Sequence, residues 1–145
     1  MTERIGIMTK TQCRENAFLL LFEASLRDDP PEELYRLAEE VGEIGINDRV
    51  RSLVEGVLSQ AEELDGIIAS YSRKRAVSRI PRVNLILLRM AIYELQNIPE
   101  TPVNVAVSEA VNLAQKYAGS EDSAFINGVL GAYSRSLPPR QEDAE

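Results

Sequence analysis

The apolar centre of the chain is the run VNLILLRMAIYEL at residues 83–95, in which ten of the thirteen side chains are hydrophobic. A helix that is apolar on nearly every side is packed by neighbours on most sides, so this run predicts the central helix of a helical protein. Pro81 suits its first turn. Its polar members, Asn84, Arg89 and Glu94, must reach the surface or find partners, because burying an unpaired charge costs several kcal/mol.

Three helices are predicted upstream of this run, each with its own start signal. Thr9 and Gln12 stand three residues apart, as in a capping box, ahead of apolar residues at helical spacing. Asp29, which precedes two prolines, predicts the cap of a second helix, and Gly42 predicts its end. Asn47 predicts the cap of a third helix.

Further helices are predicted after the third one and after the central run. Residues 64–71 predict a short fourth helix or an extension of the third. Residues 98–102 form a loop by composition, and the following helix, over 103–118, closes at Gly119. Residues 120–123 predict a turn and a cap before the last helix.

These patterns define the fold class as all-α with six or seven helices, since no segment predicts a convincing strand. A chain of 145 residues suits one domain, which we expect over residues 1–137, followed by a flexible polar tail at 138–145. No apolar run approaches the roughly 20 residues of a membrane span, and residues 1–10 lack the features of a signal peptide. We therefore expect a cytoplasmic protein with no membrane contact.

The residue counts exclude most catalytic and metal chemistry. Histidine is absent and Cys13 is the single cysteine, which excludes nucleophiles activated by histidine, a disulfide within the chain and multi-cysteine metal sites. No glycine-rich phosphate loop occurs. Glu94 and Glu109 could form a carboxylate pair, but a structural role, such as capping or pairing with Arg89, is favoured. We predict no catalytic residue, no metal site and no cofactor.

Charge is separated along the chain. Residues 28–48 carry eight acids and one base, a net charge of −7 that equals the charge of the whole chain. Arginine outnumbers lysine thirteen to three, which favours planar contacts to phosphate or carboxylate. We interpret a second block, residues 66–93, as a candidate binding surface. The alternative is that this block and the acidic block are both solvated helix faces. This second block, residues 66–93, has no acid and carries the bases Arg73, Lys74, Arg75, Arg79, Arg82 and Arg89.

Two short groups of residues are suited to RNA. Phe125 offers a ring on which a base can stack, and Asn127 offers donors and an acceptor for a base edge. The alternative is that Phe125 fills the core and Asn127 holds a loop. Lys10 and Arg14, one helical turn apart, form a minimal basic face at the amino end.

Several blocks of the sequence resemble, in order and spacing, the NusB family of transcription antitermination factors. They are ILLRMAIYEL at residues 86–95, Pro102 followed by VAVSEAV at 105–111, and FINGVL at 125–130. Upstream, LVEGV at 53–57 also fits the family pattern. The similarity extends from about Lys10 to Leu137.

The resemblance implies a fold of two packed three-helix bundles and a function without catalysis or cofactor. It implies binding of single-stranded boxA-type RNA from ribosomal RNA leader transcripts together with NusE, a small-subunit ribosomal protein. The heterodimer would then act within the RNA polymerase antitermination complex.

The same resemblance assigns roles to individual residues. The RNA face combines the start of the first helix with the start of the last one, and Arg89 occupies the position of a family arginine. Phe22 corresponds to an aromatic residue near the NusE contact, and Asn84 stands where some relatives carry an acid that faces NusE. The RNA face would consist of Lys10, Arg14, Asp122, Phe125 and Asn127.

The chain departs from the family pattern at the amino end and at two further positions. It has two bases where relatives often have an arginine cluster, Ser108 in place of the usual asparagine, and Arg75 where many relatives carry tryptophan. Fewer phosphate contacts weaken binding and flatten its salt dependence. Our hypothesis is that part of the missing positive field comes from Arg73, Lys74, Arg75, Arg79 and Arg82.

Two other classes of function are open at this point. The chain could be a protein-interaction or dimerisation module of the same fold with weak or no RNA binding of its own, including a homodimer. It could also belong to an RNA-modifying enzyme, because NusB-like domains occur fused to RNA methyltransferases. No glycine loop of a methyl-donor fold is found in its 145 residues.

Overall fold

A computed structural model describes residues 8–138 of the chain. Within that range it contains seven α-helices and a 3-10 turn at Val77–Arg79, which confirms the predicted all-α class. Residues 139–145 of the predicted tail lie outside the described residues. The helices are α1 (Lys10–Leu26), α2 (Pro31–Val41), α3 (Asp48–Ser59), α4 (Ala61–Tyr71), α5 (Arg82–Asn97), α6 (Val103–Tyr117) and α7 (Ser120–Arg135).

The chain divides into two compact units, Met1–Ser59 and Gln60–Glu145. Within residues 8–59 the first unit has three helices, as the resemblance implied. Within residues 60–138 the second unit has four helices and the 3-10 turn, one helix more than a three-helix bundle, because α4 is separate from α3 and not its extension. In the described residues, no helix has the length and apolar character needed to cross a membrane.

Two of the three predicted start signals in the first unit are confirmed. The backbone N–H of Gln12 donates to Thr9 Oγ1 at 3.0 Å, and the backbone N–H of Thr9 donates to Gln12 Oε1 at 2.8 Å. Asn47 Oδ1 accepts from the N–H of Val50 at 2.9 Å. The prediction for Asp29 was wrong: Pro30 occupies the cap position, and the Asp29 carboxylate instead pairs with Arg27 at 2.6 Å.

The core of the first unit lies where α1 packs on α3, with α2 packed against α1. The α1 side chains Ala17 and Phe18 are buried, as are Val50 and Val54 of α3. Gly42 ends α2 as predicted, with a φ of 79° that favours glycine.

A buried tyrosine links α2 to α3 in the first unit. The Tyr35 hydroxyl donates to Glu55 Oε2 at 2.8 Å, and the Arg51 guanidinium lies 4.5 Å from the centre of the Tyr35 ring. Burial, reinforced by the hydrogen bond to the Glu55 carboxylate, raises the pKa of Tyr35 well above its usual range.

The apolar run at residues 83–95 forms most of α5, which contacts α4, α6 and α7 in the second unit. The structural role favoured for Glu94 is found, but its partner is Thr101 and not Arg89. Glu94 is buried and accepts from Thr101 Oγ1 at 3.0 Å, which ties α5 to the loop that follows it. Arg89 pairs with Asp65 instead.

The last helix starts earlier than predicted. Gly119 has a φ of 128°, which favours glycine, and the helix begins at Ser120 directly after it. The predicted turn at 120–123 is therefore the first turn of α7, closed by a hydrogen bond from the N–H of Ser123 to the Gly119 carbonyl at 3.0 Å. This places Asp122 where the helix dipole favours negative charge.

Candidate nucleic-acid interface

The link between α4 and α5, together with the first residue of α5, is a short basic segment, residues 72–82, whose backbone is held in several places. Ser72 is buried, and its hydroxyl donates to the Arg75 carbonyl at 2.8 Å. The 3-10 turn at Val77–Arg79 follows, and Ile80 is buried at its end. The segment therefore has a defined path that positions its charged side chains.

The basic segment presents unneutralised positive charge. Its bases Arg73, Lys74, Arg79 and Arg82 are exposed, and Arg75 is half-buried. None of these five forms an ion pair with a residue in the range 8–138. Exposed cations without carboxylate partners are available to phosphate, so the structure is consistent with the charge hypothesis made from the sequence.

Arg75 contacts Phe125 across the second unit. The guanidinium carbon of Arg75 lies over the Phe125 ring, 4.7 Å from its centre, within the range of a cation–π interaction. Phe125 is itself half-buried. An aromatic ring is thereby placed beside the basic segment.

A hydrogen bond joins the start of α5 to the start of α7. Asn84 Nδ2 donates to Asp122 Oδ1 at 2.8 Å. Asn84 is fully buried, and its Oδ1 has no hydrogen-bond partner within residues 8–138. Asn84, which the resemblance associates with NusE, therefore lies beneath the surface. Asp122 is half-buried and is the more exposed residue of the two.

Phe125 and Asn127 lie on different faces of α7. Residues two apart on a helix do not face each other, whereas Asp122 and Phe125, three apart, share a face. Asn127 is exposed. The structure thus brings Asp122, Phe125 and the basic segment together, and it presents Asn127 on another side of the same helix.

Arg89 is occupied by a carboxylate within the second unit. Its Nε and Nη2 donate to the two oxygens of Asp65 at 2.7 and 2.8 Å. The side chains of Arg89 and Asp65 are 22% and 29% exposed. This two-pronged pair joins α5 to α4 and occupies the Arg89 guanidinium. A contact between Arg89 and RNA therefore stays a prediction.

The predicted residues of the first unit differ in exposure. Lys10 is exposed, whereas Arg14 is only 6% exposed. Phe22 is half-buried, with its ring centre 6.1 Å from that of Phe18. The basic face predicted for the start of α1 is thus reduced to Lys10.

The geometry offers little to catalysis. Cys13 is buried, and its Sγ lies 3.4 Å from Asn47 Nδ2. Among the residues the structure describes, no three His, Cys, Asp or Glu side chains are arranged to hold a metal ion.

Comparison with protein families gives a match to the NusB family over residues 11–135. The transcription antitermination protein NusB of Acetivibrio thermocellus is 39% identical over 126 residues, which are 86% of this chain and 87% of that protein. That of Ruminiclostridium cellulolyticum is 32% identical over 139 residues, 94% of this chain and 96% of that protein.

Solved structures share the fold. A chain in a crystal structure of the antitermination factors NusB and NusE in complex with dsRNA is 28% identical, with a TM-score of 0.77 over 88% of this chain and 97% of that one. T. maritima NusB, at 24% identity, has a TM-score of 0.81 over 95% of this chain and 99% of that one, which shows the likeness of fold.

Proposed function

Because this chain belongs to the NusB family of transcription antitermination factors, which are not enzymes, we propose that it binds single-stranded boxA-type RNA of ribosomal RNA leaders together with NusE. The complex then acts on RNA polymerase in the cytoplasm to promote antitermination. The related complex of NusB and NusE with dsRNA supports both partners.

One observation carries the proposed RNA site: exposed cations without carboxylate partners flank an aromatic ring in the second unit. A single-stranded RNA needs this combination, because its phosphates require positive charge and its unpaired bases require a stacking surface. The combination requires only residues within the second unit. It does not depend on Lys10 or Arg14 of the first unit.

We assign the predicted residues three kinds of role. Phe125 supports base stacking, Asp122 and Asn127 contact base edges or sugar, and Arg89 holds α5 against α4 through Asp65. For NusE, Phe22 is a contact residue and Asn84 positions Asp122. The phosphate contacts come from Lys10, Arg73, Lys74, Arg75, Arg79 and Arg82, and Arg14, which is only 6% exposed, is assigned none.

A charge-reversal series tests the assignment of the basic segment. Binding of labelled boxA-type RNA, with NusE present, is measured by fluorescence anisotropy across a salt series for the wild type and for Arg73→Glu/Lys74→Glu. We expect weaker binding and a salt slope flatter by about 0.7 for each phosphate that the variant no longer neutralises.

The matched control is Arg49→Glu/Arg135→Glu, which alters net charge equally at positions outside the basic segment. If both double variants weaken binding to the same extent, the effect is one of overall charge, and the assignment of the basic segment is wrong.

A specific observation favours protein binding as a second candidate function. The first unit has an apolar groove of about 580 Å³ between α1 and α2, lined by residues that include Leu20 and Leu37. Leu26 and Val41, on the same two helices, are exposed. A homodimer through this face would be seen as twice the monomer mass in light scattering, and Val41→Asp would abolish it.

A further inference from the structure

We infer that Arg75 and Phe125 form one composite stacking subsite, in which an RNA base lies on the outer face of the Arg75 guanidinium and not directly on the Phe125 ring. The inference rests on the proposed RNA binding and specifies how this chain carries it out. It assigns Arg75 a function as a planar surface in addition to its charge.

Arg75 leaves no room for a base on the ring face that it covers. Its guanidinium carbon is 4.7 Å from the ring centre, whereas a base inserted between the two groups would need about 7 Å, two contact distances of about 3.5 Å. A base that approaches this face therefore meets the guanidinium first. Because the guanidinium is flat and delocalised, it stacks on bases as well as on aromatic rings.

The backbone of Arg75 is held while its charge is left available. The Arg75 carbonyl accepts from the buried Ser72 hydroxyl at 2.8 Å, and the Arg75 N–H donates to the Ser72 carbonyl at 3.4 Å. No carboxylate within residues 8–138 pairs with its guanidinium. Asp122, an acid on the same face of α7 as Phe125, accepts instead from Asn84.

The composite surface differs from a bare ring in two measurable ways. It carries a positive charge, so a base stacked on it adds an electrostatic contribution that weakens with salt. Its N–H groups also donate to base acceptors or phosphate, while its stacking tolerates any base, because every base has a π-face. A planar uncharged side chain at position 75 would keep the stacking and lose the electrostatic contribution.

Three substitutions of Arg75 separate planarity from charge. Arg75→Lys retains the charge without the flat surface, Arg75→Trp retains a flat surface without the charge, and Arg75→Ala removes both. The probe is boxA-type RNA with 2-aminopurine at single positions, whose fluorescence is quenched on stacking. Binding is measured with NusE present, and far-UV circular dichroism checks that each variant is folded.

We expect Arg75→Ala and Arg75→Lys to weaken binding about 5- to 150-fold, the size of one base-stacking interaction, and to abolish quenching at one position. Arg75→Trp retains quenching at that position and has a salt slope flatter by about 0.7. In a double-mutant cycle with Phe125→Leu, the effects of the two positions are less than additive, because either change disrupts the same surface.

Other outcomes contradict the inference. If Arg75→Lys binds like the wild type, Arg75 acts through charge alone, and if Arg75→Ala binds more tightly, Arg75 only covers the ring. Both leave the proposed function intact, provided that the wild type binds the RNA. If the wild type does not bind it, with or without NusE, the proposed function and the inference fail together.

Discussion

Asn84 on α5 donates a hydrogen bond to Asp122 on α7 across 2.8 Å, from a fully buried position to the half-exposed first turn of the last helix. The amide orientation is fixed by chemistry, because reversing it would place an amide oxygen against a carboxylate oxygen. A neutral side chain thus holds an acid in place one helical turn before Phe125.

Asn84→Asp places a second carboxylate beside that of Asp122. Mutual repulsion and burial raise the pKa of the pair above that in the unfolded chain, so the folded state binds more protons and stability falls as pH rises. We expect a loss on the order of 3 kcal/mol in the free energy of unfolding at pH 7, with partial recovery near pH 4. Urea unfolding at both values measures it.

The matched control for that experiment is Asn112→Asp, the same change at an exposed position of α6. It should alter stability by no more than about 0.5 kcal/mol. Equal losses in the two variants at pH 7 would show that the hydrogen bond between Asn84 and Asp122 does not matter for stability.

Tyr35→Phe removes the hydroxyl that bonds Glu55 in the first unit. We expect a loss of about 1 kcal/mol in the free energy of unfolding at pH 7. The wild type should also lose stability above about pH 10, because its Tyr35 pKa is raised and only the unfolded chain ionises there. Tyr35→Phe should lose less over the same range.

Tyr93→Phe serves as the comparison, since it removes a tyrosine hydroxyl from a half-buried position in the second unit. Denaturant unfolding at about pH 8 and about pH 10.5, on either side of the ordinary tyrosine pKa, distinguishes the variants. If the alkaline loss is the same in Tyr35→Phe as in the wild type, the raised pKa of Tyr35 has no effect on folding.

Arg89→Met breaks the two-pronged bond to Asp65 and leaves a half-buried carboxylate without its partner. We expect a cost of about 1.5–3 kcal/mol in the free energy of unfolding. Arg89→Lys should recover only part of it, because lysine cannot make both parallel bonds. Asp65→Asn/Arg89→Met should cost less than the sum of the single changes.

The same variants test the role of Arg89 in RNA binding. If Arg89 acts only through Asp65, Arg89→Met leaves the salt slope of RNA binding unchanged, while Arg82→Met at an exposed position of the basic segment flattens it. A flatter slope in Arg89→Met than in Arg82→Met would instead favour a direct phosphate contact by Arg89.

Features that depend on residues close in sequence could be predicted well. The Thr9 capping box and the Asn47 cap each involve residues three apart, and the apolar pattern identified α5 as central. The cap at Asp29 failed because Arg27 competes for that carboxylate, and the structural role favoured for Glu94 is filled by Thr101 and not by Arg89.

Features of the candidate site that depend on tertiary packing could not be predicted. Arg75 and Phe125 are fifty residues apart, and only the packing of the second unit brings them together. The burial of Arg14 likewise depends on its neighbours in the folded protein. One signal in the sequence pointed to a flat side chain at position 75. Arg75 stands where many members of the family carry tryptophan.

The measurement that tests the central proposal most directly is the affinity for labelled single-stranded boxA-type RNA, with and without NusE, across a salt series. We expect tight binding with NusE, loss of affinity as salt rises, and a clear weakening by Phe125→Leu, which removes the ring but keeps an apolar side chain at that position. Absence of binding in both conditions, for a folded protein that still binds NusE or dimerises, would contradict RNA binding and favour a protein-interaction role.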